Sequence, residues 1–166
     1  YNFTTSVTIN ATQANANAYL NAGYCTNVGT INVILKGFNG GTVWASAGSI
    51  SLDTNTGAID LGASTPGMYT VYYAAGTGGC AVTVQTDIEV FDPPSANFYY
   101  PNSSYCTNAG TAYVNFTGTT GGVFSSDPGL AVDPSSGNID LGSSSAGTYT
   151  VIYRIAASGG CNEYIT

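Results

Sequence analysis

Apolar residues in this chain recur at every second position rather than at helical spacing, and that period predicts strands. The clearest run is Val82, Val84, Thr86, Ile88 and Val90, with Thr83, Gln85, Asp87 and Glu89 between them. It predicts one long strand with a single buried face. Tyr69, Val71 and Tyr73 alternate with Thr70 and Tyr72 in the same way, so the first three are expected in a core. Shorter strands are expected near residues 31–36, 42–46, 50–52 and 58–61, and Phe3, Thr5, Val7 and Ile9 alternate at the start. The segments 53–57 (Asp-Thr-Asn-Thr-Gly) and 133–137 (Asp-Pro-Ser-Ser-Gly) are turn sequences, in which an Asp side chain bonds nearby amides and Gly takes a left-handed position. No stretch carries helical periodicity with caps. The fold class expected is all-β.

The pattern is repeated. Tyr24-Cys25-Thr26-Asn27 returns 81 positions later as Tyr105-Cys106-Thr107-Asn108, and Gly79-Cys80 returns as Gly160-Cys161. Ile59-Asp60-Leu61-Gly62 returns as Ile139-Asp140-Leu141-Gly142, at a shift of 80. Two copies of one module of about 80 residues follow. One residue is lost near Thr42 and one regained near Ala74, which places Trp44 where Phe124 stands and makes both core candidates. In the second copy Tyr149, Val151 and Tyr153 are expected inward and Arg154 outward. The long strand of copy one has no full counterpart after Cys161, whereas Val7 and Ile9 fall on Ile88 and Val90 at the same shift. The boundaries expected are therefore 1–13 as a final strand of a preceding module or a donated strand, 14–92 as repeat one, and 93–166 as repeat two, lacking most of its last strand. The simplest account is a two-repeat excerpt of a longer array. The alternative is a complete subunit that polymerises by donating its first strand to an open groove.

Composition narrows the function. Lys and Arg total 2, Asp and Glu total 9, His is absent and the formal net charge is −7. Lys36 and Arg154 cannot build the basic patch that nucleic acid or an anionic lipid surface requires, so neither partner is expected. No apolar run is long enough for membrane insertion as a helix. With no His and no activated nucleophile the chain is not expected to be an enzyme. Only 7% of residues are charged, against roughly 25% in an average soluble domain, so stability is expected from sheets, packing and disulfides.

Each copy holds two Cys 55 residues apart, Cys25 with Cys80 and Cys106 with Cys161. That spacing predicts one disulfide per module in an oxidising, extracellular compartment. In the loop-entropy model each bridge is worth about 4 kcal/mol. No CxxC spacing supports a metal site.

The string Tyr-Cys-Thr-Asn, Gly-Gly, Asp-x-x-x-Gly-x-Ile-Asp-Leu, Gly67-Met68-Tyr69-Thr70-Val71 and Gly79-Cys80 resembles Ig-like tandem repeats. Such repeats occur in the very long surface proteins of Bacteroidota, including giant adhesins associated with gliding motility. The resemblance covers roughly residues 16–161. It implies two Greek-key β-sandwich modules, export by the type IX system, and a structural or adhesive role at the cell surface with neighbouring identical modules as partners. It carries no catalytic residues.

Two ligand sites remain to be weighed. Asp53, Asn55 and Asp60 offer hard oxygens at spacings that a Ca²⁺ loop uses, against the plainer reading of a hairpin turn. Phe98, Tyr99 and Tyr100 could form a sugar-stacking platform, as in a carbohydrate-binding accessory module that recognises surface glycans, against the plainer reading of strand packing. The sequons at Asn2, Asn10, Asn102 and Asn115 matter only in a eukaryotic secretory host.

Overall fold

A computed structural model of the chain describes residues 15–17, 22–36, 41–46, 48–76 and 81–166. The expected strand through Phe3–Ile9 and the residue Cys80 lie outside these. The chain divides into two compact units, Tyr1–Asp92 and Pro93–Thr166. Both are all-β, and among the described residues no helix is long and apolar enough to cross a membrane.

Unit one runs through β1 (Asn15–Asn17), β2 (Gly23–Cys25), β3 (Thr30–Ile31), β4 (Ile34–Lys36), β5 (Thr42–Ala45), β6 (Ser51–Leu52), β7 (Ile59–Asp60), β8 (Gly67–Ala75) and β9 (Val82–Phe91). The order β2-β9-β8-β5 makes the larger sheet, β3-β7-β6 a smaller one, and β1 pairs with β4. The long antiparallel ladder of β8 and β9 runs from Gly67↔Val90 to Ala75↔Val82. Alternation delivers what the sequence predicts. Tyr69, Val71 and Tyr73 are buried, as are Ile88 and Val90, while Met68 is exposed. The core also takes Ile59 and Leu61 from the smaller sheet and its exit, both fully buried, and each such side chain contributes about 1.5–3 kcal/mol. The single strand expected over 31–36 is interrupted at Asn32-Val33, and its halves serve different sheets.

Unit two runs through β10 (Ala96–Tyr99), β11 (Thr111–Ala112), β12 (Asn115–Gly118), β13 (Val123–Ser126), β14 (Ala131–Val132), β15 (Ile139–Asp140), β16 (Val151–Ile155) and β17 (Tyr164–Ile165). Its sheets are β13-β16-β17, β11-β15-β14 and the pair β10-β12. The small sheet repeats that of unit one residue for residue. Thr30↔Asp60 and Leu52↔Ile59 become Thr111↔Asp140 and Val132↔Ile139.

The repeat extends to individual bonds. Leu61 N–H donates to Gly29 O at 3.0 Å, and Leu141 N–H donates to Gly110 O at 3.0 Å. The Ser64 hydroxyl donates to Asp60 O at 2.6 Å and accepts from Ser51 N–H at 2.9 Å. The Ser144 hydroxyl repeats both bonds, to Asp140 O at 2.6 Å and from Ala131 N–H at 3.0 Å. Tyr69 and Tyr149 donate to Thr65 O and Ser145 O respectively.

These bonds correct one expectation. Val43 N–H donates to Thr54 O, and Phe124 N–H donates to Pro134 O. Val43 lies opposite Tyr73, and Phe124 opposite Tyr153. Phe124 therefore corresponds to Val43, not to Trp44. The missing residue falls later, because Thr70 N–H bonds Ser46 Oγ where Thr150 N–H bonds Asp127 Oδ2. A slip of one residue moves a side chain to the opposite face of a sheet. Trp44 accordingly lies outside, 40% exposed and stacked on Tyr72 at 5.5 Å, while Phe124 is buried.

A second departure from expectation is in the strand after residue 147. Tyr153 is buried and Arg154 exposed as anticipated, but Tyr149 and Val151 are only half-buried, and strand pairing begins at Val151 rather than at Gly147. In unit one the corresponding residues, 67–70, pair with Asp87–Val90.

Candidate functional site

The turn at 53–57 forms as expected. Asp53 Oδ1 accepts from Asn55 N–H at 2.9 Å and Thr56 N–H at 3.3 Å, and Gly57 N–H closes on Asp53 O at 2.7 Å. Gly57 has φ +73, and a Cβ there would run into the Val33 side chain. Asp133 repeats the arrangement on Ser135 and Ser136, with Gly137 at φ +75. These donors hold the Asp53 carboxyl below its ordinary value, the Asn55 amide first, and hold Asp133 down through the Ser136 amide first. Of the calcium candidates, Asp53 spends its carboxylate on this turn. Asp60 spends its own on Ala63 N–H at 3.2 Å. Asn55 enters through its backbone amide. Among the described residues no group of three or more His, Cys, Asp or Glu is gathered that could hold a metal ion.

The aromatic candidates separate by strand alternation. Phe98 and Tyr100 point inward and Tyr99 outward, 61% exposed. Phe98 meets Phe124 edge-on at 5.3 Å and Tyr100 edge-on at 6.5 Å, and Phe116 and Tyr153 complete the cluster. Edge-to-face contacts build a core, whereas a sugar platform needs coplanar exposed rings. The three residues therefore do not converge on one surface. The Tyr100 hydroxyl donates to Gly137 O, tying β10's exit to the turn. Burial, and then the neighbouring Tyr105, push its phenol up to about 12.

The cysteines depart from expectation. Cys25 and Cys161 are disulfide-bonded, and Cys106 is an exposed free thiol. The expected Cys106–Cys161 bridge is therefore not formed. The physical reason lies in the neighbouring strand. Gly23-Tyr24-Cys25 forms β2 and pairs in parallel with Glu89-Val90-Phe91 of β9, which leaves Cys25 fully buried. The equivalent segment of unit two, Ser104-Tyr105-Cys106, pairs with no strand among the described residues and carries Cys106 outward.

Beside this segment lies a groove of about 400 Å³. One wall is Ser104 and Tyr105, the other Gly147, Thr148 and Tyr149, and the floor includes Ile139 and Leu141. Their counterparts in unit one are Gly23 and Tyr24, Gly67 to Tyr69, and Ile59 with Leu61. Those counterparts enclose the end of β9, with Tyr69↔Ile88 on one side and Tyr24↔Val90 on the other. Sequence reasoning did not single out the residues of this groove. The signal was present in the repeat, which maps one wall at a shift of 81 and the other wall and the floor at a shift of 80.

No family model matches the chain, and no curated protein matches it.

Proposed function

We propose that this chain is a structural and adhesive repeat unit of a long bacterial cell-surface adhesin or extracellular filament, built of two tandem Ig-like sandwich modules. The observation that carries the reading is the bond-by-bond duplication of one small β-module. Repetition of a unit that needs only its neighbours is how arrays gain reach and tensile continuity. Three further features support it. Oxidised cysteines fit an extracellular compartment. A surface with one Lys and one Arg resists adsorption to acidic polymers. The resemblance to Bacteroidota tandem repeats points to export and display at the cell surface.

The test is labelling of intact cells of the source organism with antibody raised against the 166-residue chain. The reading expects extended labelled structures outside unpermeabilised cells. Labelling that appears only after permeabilisation would contradict it.

A further inference from the structure

We propose that the outer face of the larger sheet in unit one is a glycan-binding site, in which Trp44, stacked on Tyr72, takes a neutral pyranose. The inference deepens the adhesive reading, on which it rests, by naming the class of ligand.

Strand register assembles the site. Trp44 on β5 lies opposite Tyr72 on β8, and Tyr72 lies opposite Gln85 on β9, so the three form one row across the sheet. Alternation puts that row on the outer face, since Val43, Val71 and Tyr73 beside it are buried. Trp44 stays 40% exposed with Tyr72 stacked on it at 5.5 Å, and Gln85 is exposed. The next row is Thr70 and Asp87, joined by a 2.7 Å bond that the Thr70 hydroxyl donates to Asp87 Oδ1. That bond leaves Asp87 Oδ2 as an acceptor on an exposed side chain.

The fold does not require these rings. Phe124 corresponds to Val43 and Tyr153 to Tyr73, which places Ser125 at the Trp44 position and Ile152 at the Tyr72 position. Unit two builds the same ladder with Ser125 opposite Ile152. An exposed tryptophan carried by one copy alone therefore belongs to the surface of that copy rather than to the module's folding.

The chemistry of the surroundings selects the ligand. The two ring planes lie 11° apart, so the pair offers a flat face to a flat partner. A cation is instead held in a cage of rings set around it. The C–H face of a pyranose packs on an indole by dispersion and apolar burial. Its hydroxyls need both donors and acceptors, which the Gln85 amide and the Asp87 carboxylate provide. Strands β5, β8 and β9 carry Asp87 and Glu89 but no Lys or Arg, so an acidic glycan is repelled and a neutral one is not. Three residues in a row span two strand spacings, about 10 Å, which is the length of a disaccharide.

The experiment uses the purified full chain and two readouts. Trp44 is the one tryptophan in the sequence, so emission excited beyond the tyrosine band reports this site alone. Native gels cast with soluble mixed-linkage β-glucan, galactomannan, dextran or starch read binding independently, with polygalacturonate and polylysine as charged controls. The expected result is retardation by at least one neutral polymer, with a saturable shift of Trp44 emission that added salt leaves unchanged. Trp44→Ala, confirmed as folded by its circular dichroism, is expected to bind at least about tenfold more weakly. Gln85→Ala, which leaves both rings in place, is expected to weaken binding by a smaller factor. Ser125→Ala, at the equivalent position of unit two, should leave it unchanged. No retardation and no emission shift with any neutral polymer would overturn the proposal. Binding that survives Trp44→Ala would place the glycan elsewhere and overturn it equally. A salt-sensitive response to polylysine alone would assign the face to a cationic partner and overturn it too. These readouts come from purified protein and cell labelling does not, so failure of glycan binding and failure of surface display are separately visible.

Discussion

The two units share one pattern of hydrogen bonds and differ in how well their cores are closed. In unit one Ile59 and Leu61 are fully buried, Val71 is 1% exposed and Tyr69 is buried. In unit two Ile139 and Leu141 are slightly exposed, and Val151 and Tyr149 are half-buried. The difference traces to one strand. Where β9 lies against β8 and β2 the core is covered, and where β16 pairs with the short β17 a groove lies open. Unit two compensates at the other end of its core with Phe98, Phe116, Phe124 and Tyr153 packed edge to face. Its counterpart of Phe124 in unit one is the much smaller Val43.

That aromatic cluster gives the largest expected effect. Phe124→Ala should cost about 3–5 kcal/mol of stability, whereas Trp44→Ala, on the outer face, should cost about 1 kcal/mol through its stack on Tyr72. Denaturant melts of the two variants measure this, and equal losses would break the corrected correspondence of Phe124 with Val43.

Next come the turn glycines. Gly57→Ala and Gly137→Ala should each destabilise by about 1–3 kcal/mol, because both sit at positive φ with a side chain where a Cβ would go. Similar costs in the two units would support equivalent turns, and a harmless change at either would separate them.

Ser64→Ala leaves Ser51 N–H and Asp60 O without their shared hydroxyl, a loss of about 1 kcal/mol or somewhat more. Ser144→Ala should cost less, because Ser64 is buried and Ser144 is only half-buried. A thermal melt that ranks them in the opposite order would contradict the difference in closure.

The smallest effects come from pH. The carboxyls of Asp53, Asp133 and Asp140 are held below their ordinary 3.8 by hydrogen bonds, Asp140 chiefly by the Ser143 side chain. Their contribution is therefore complete above that value and is lost as the pH falls through the lowered ones. Tyr100 has the opposite sign. Its phenol is raised from 10.0 to about 12, so the stability it supplies is present below pH 10 and disappears between 10 and 12. Melting curves across these two windows should fall at both ends, with the alkaline fall confined to unit two and removed by Tyr100→Phe.

Much of this was legible in the chain. Alternation at Tyr69, Val71 and Tyr73 named a core face, because sheet period is two and nothing competes with it. The Asp and Gly of each turn named their own bonds, because those contacts are local. The repeat was legible from its conserved-looking strings, but the place of the one-residue gap was not. Nothing between Gly41 and Ile50 distinguishes an insertion before Trp44 from one after it until cross-strand partners are known. The cysteine pairing failed for a related reason. Equal spacing in the two copies suggests equal bridges, but Cys25 is set by its parallel partner Phe91, and Cys106 has no such neighbour. For Phe98, Tyr99 and Tyr100, adjacency in sequence suggested one platform, whereas a strand sends neighbours to opposite faces.

Native-state hydrogen exchange on the dilute chain tests the central claim most directly, by comparing the amides of 67–71 with those of 147–151. The account predicts strong protection in the first segment and weak protection in the second. Equal protection of the two segments in the dilute chain would mean that unit two is already closed, and would contradict it.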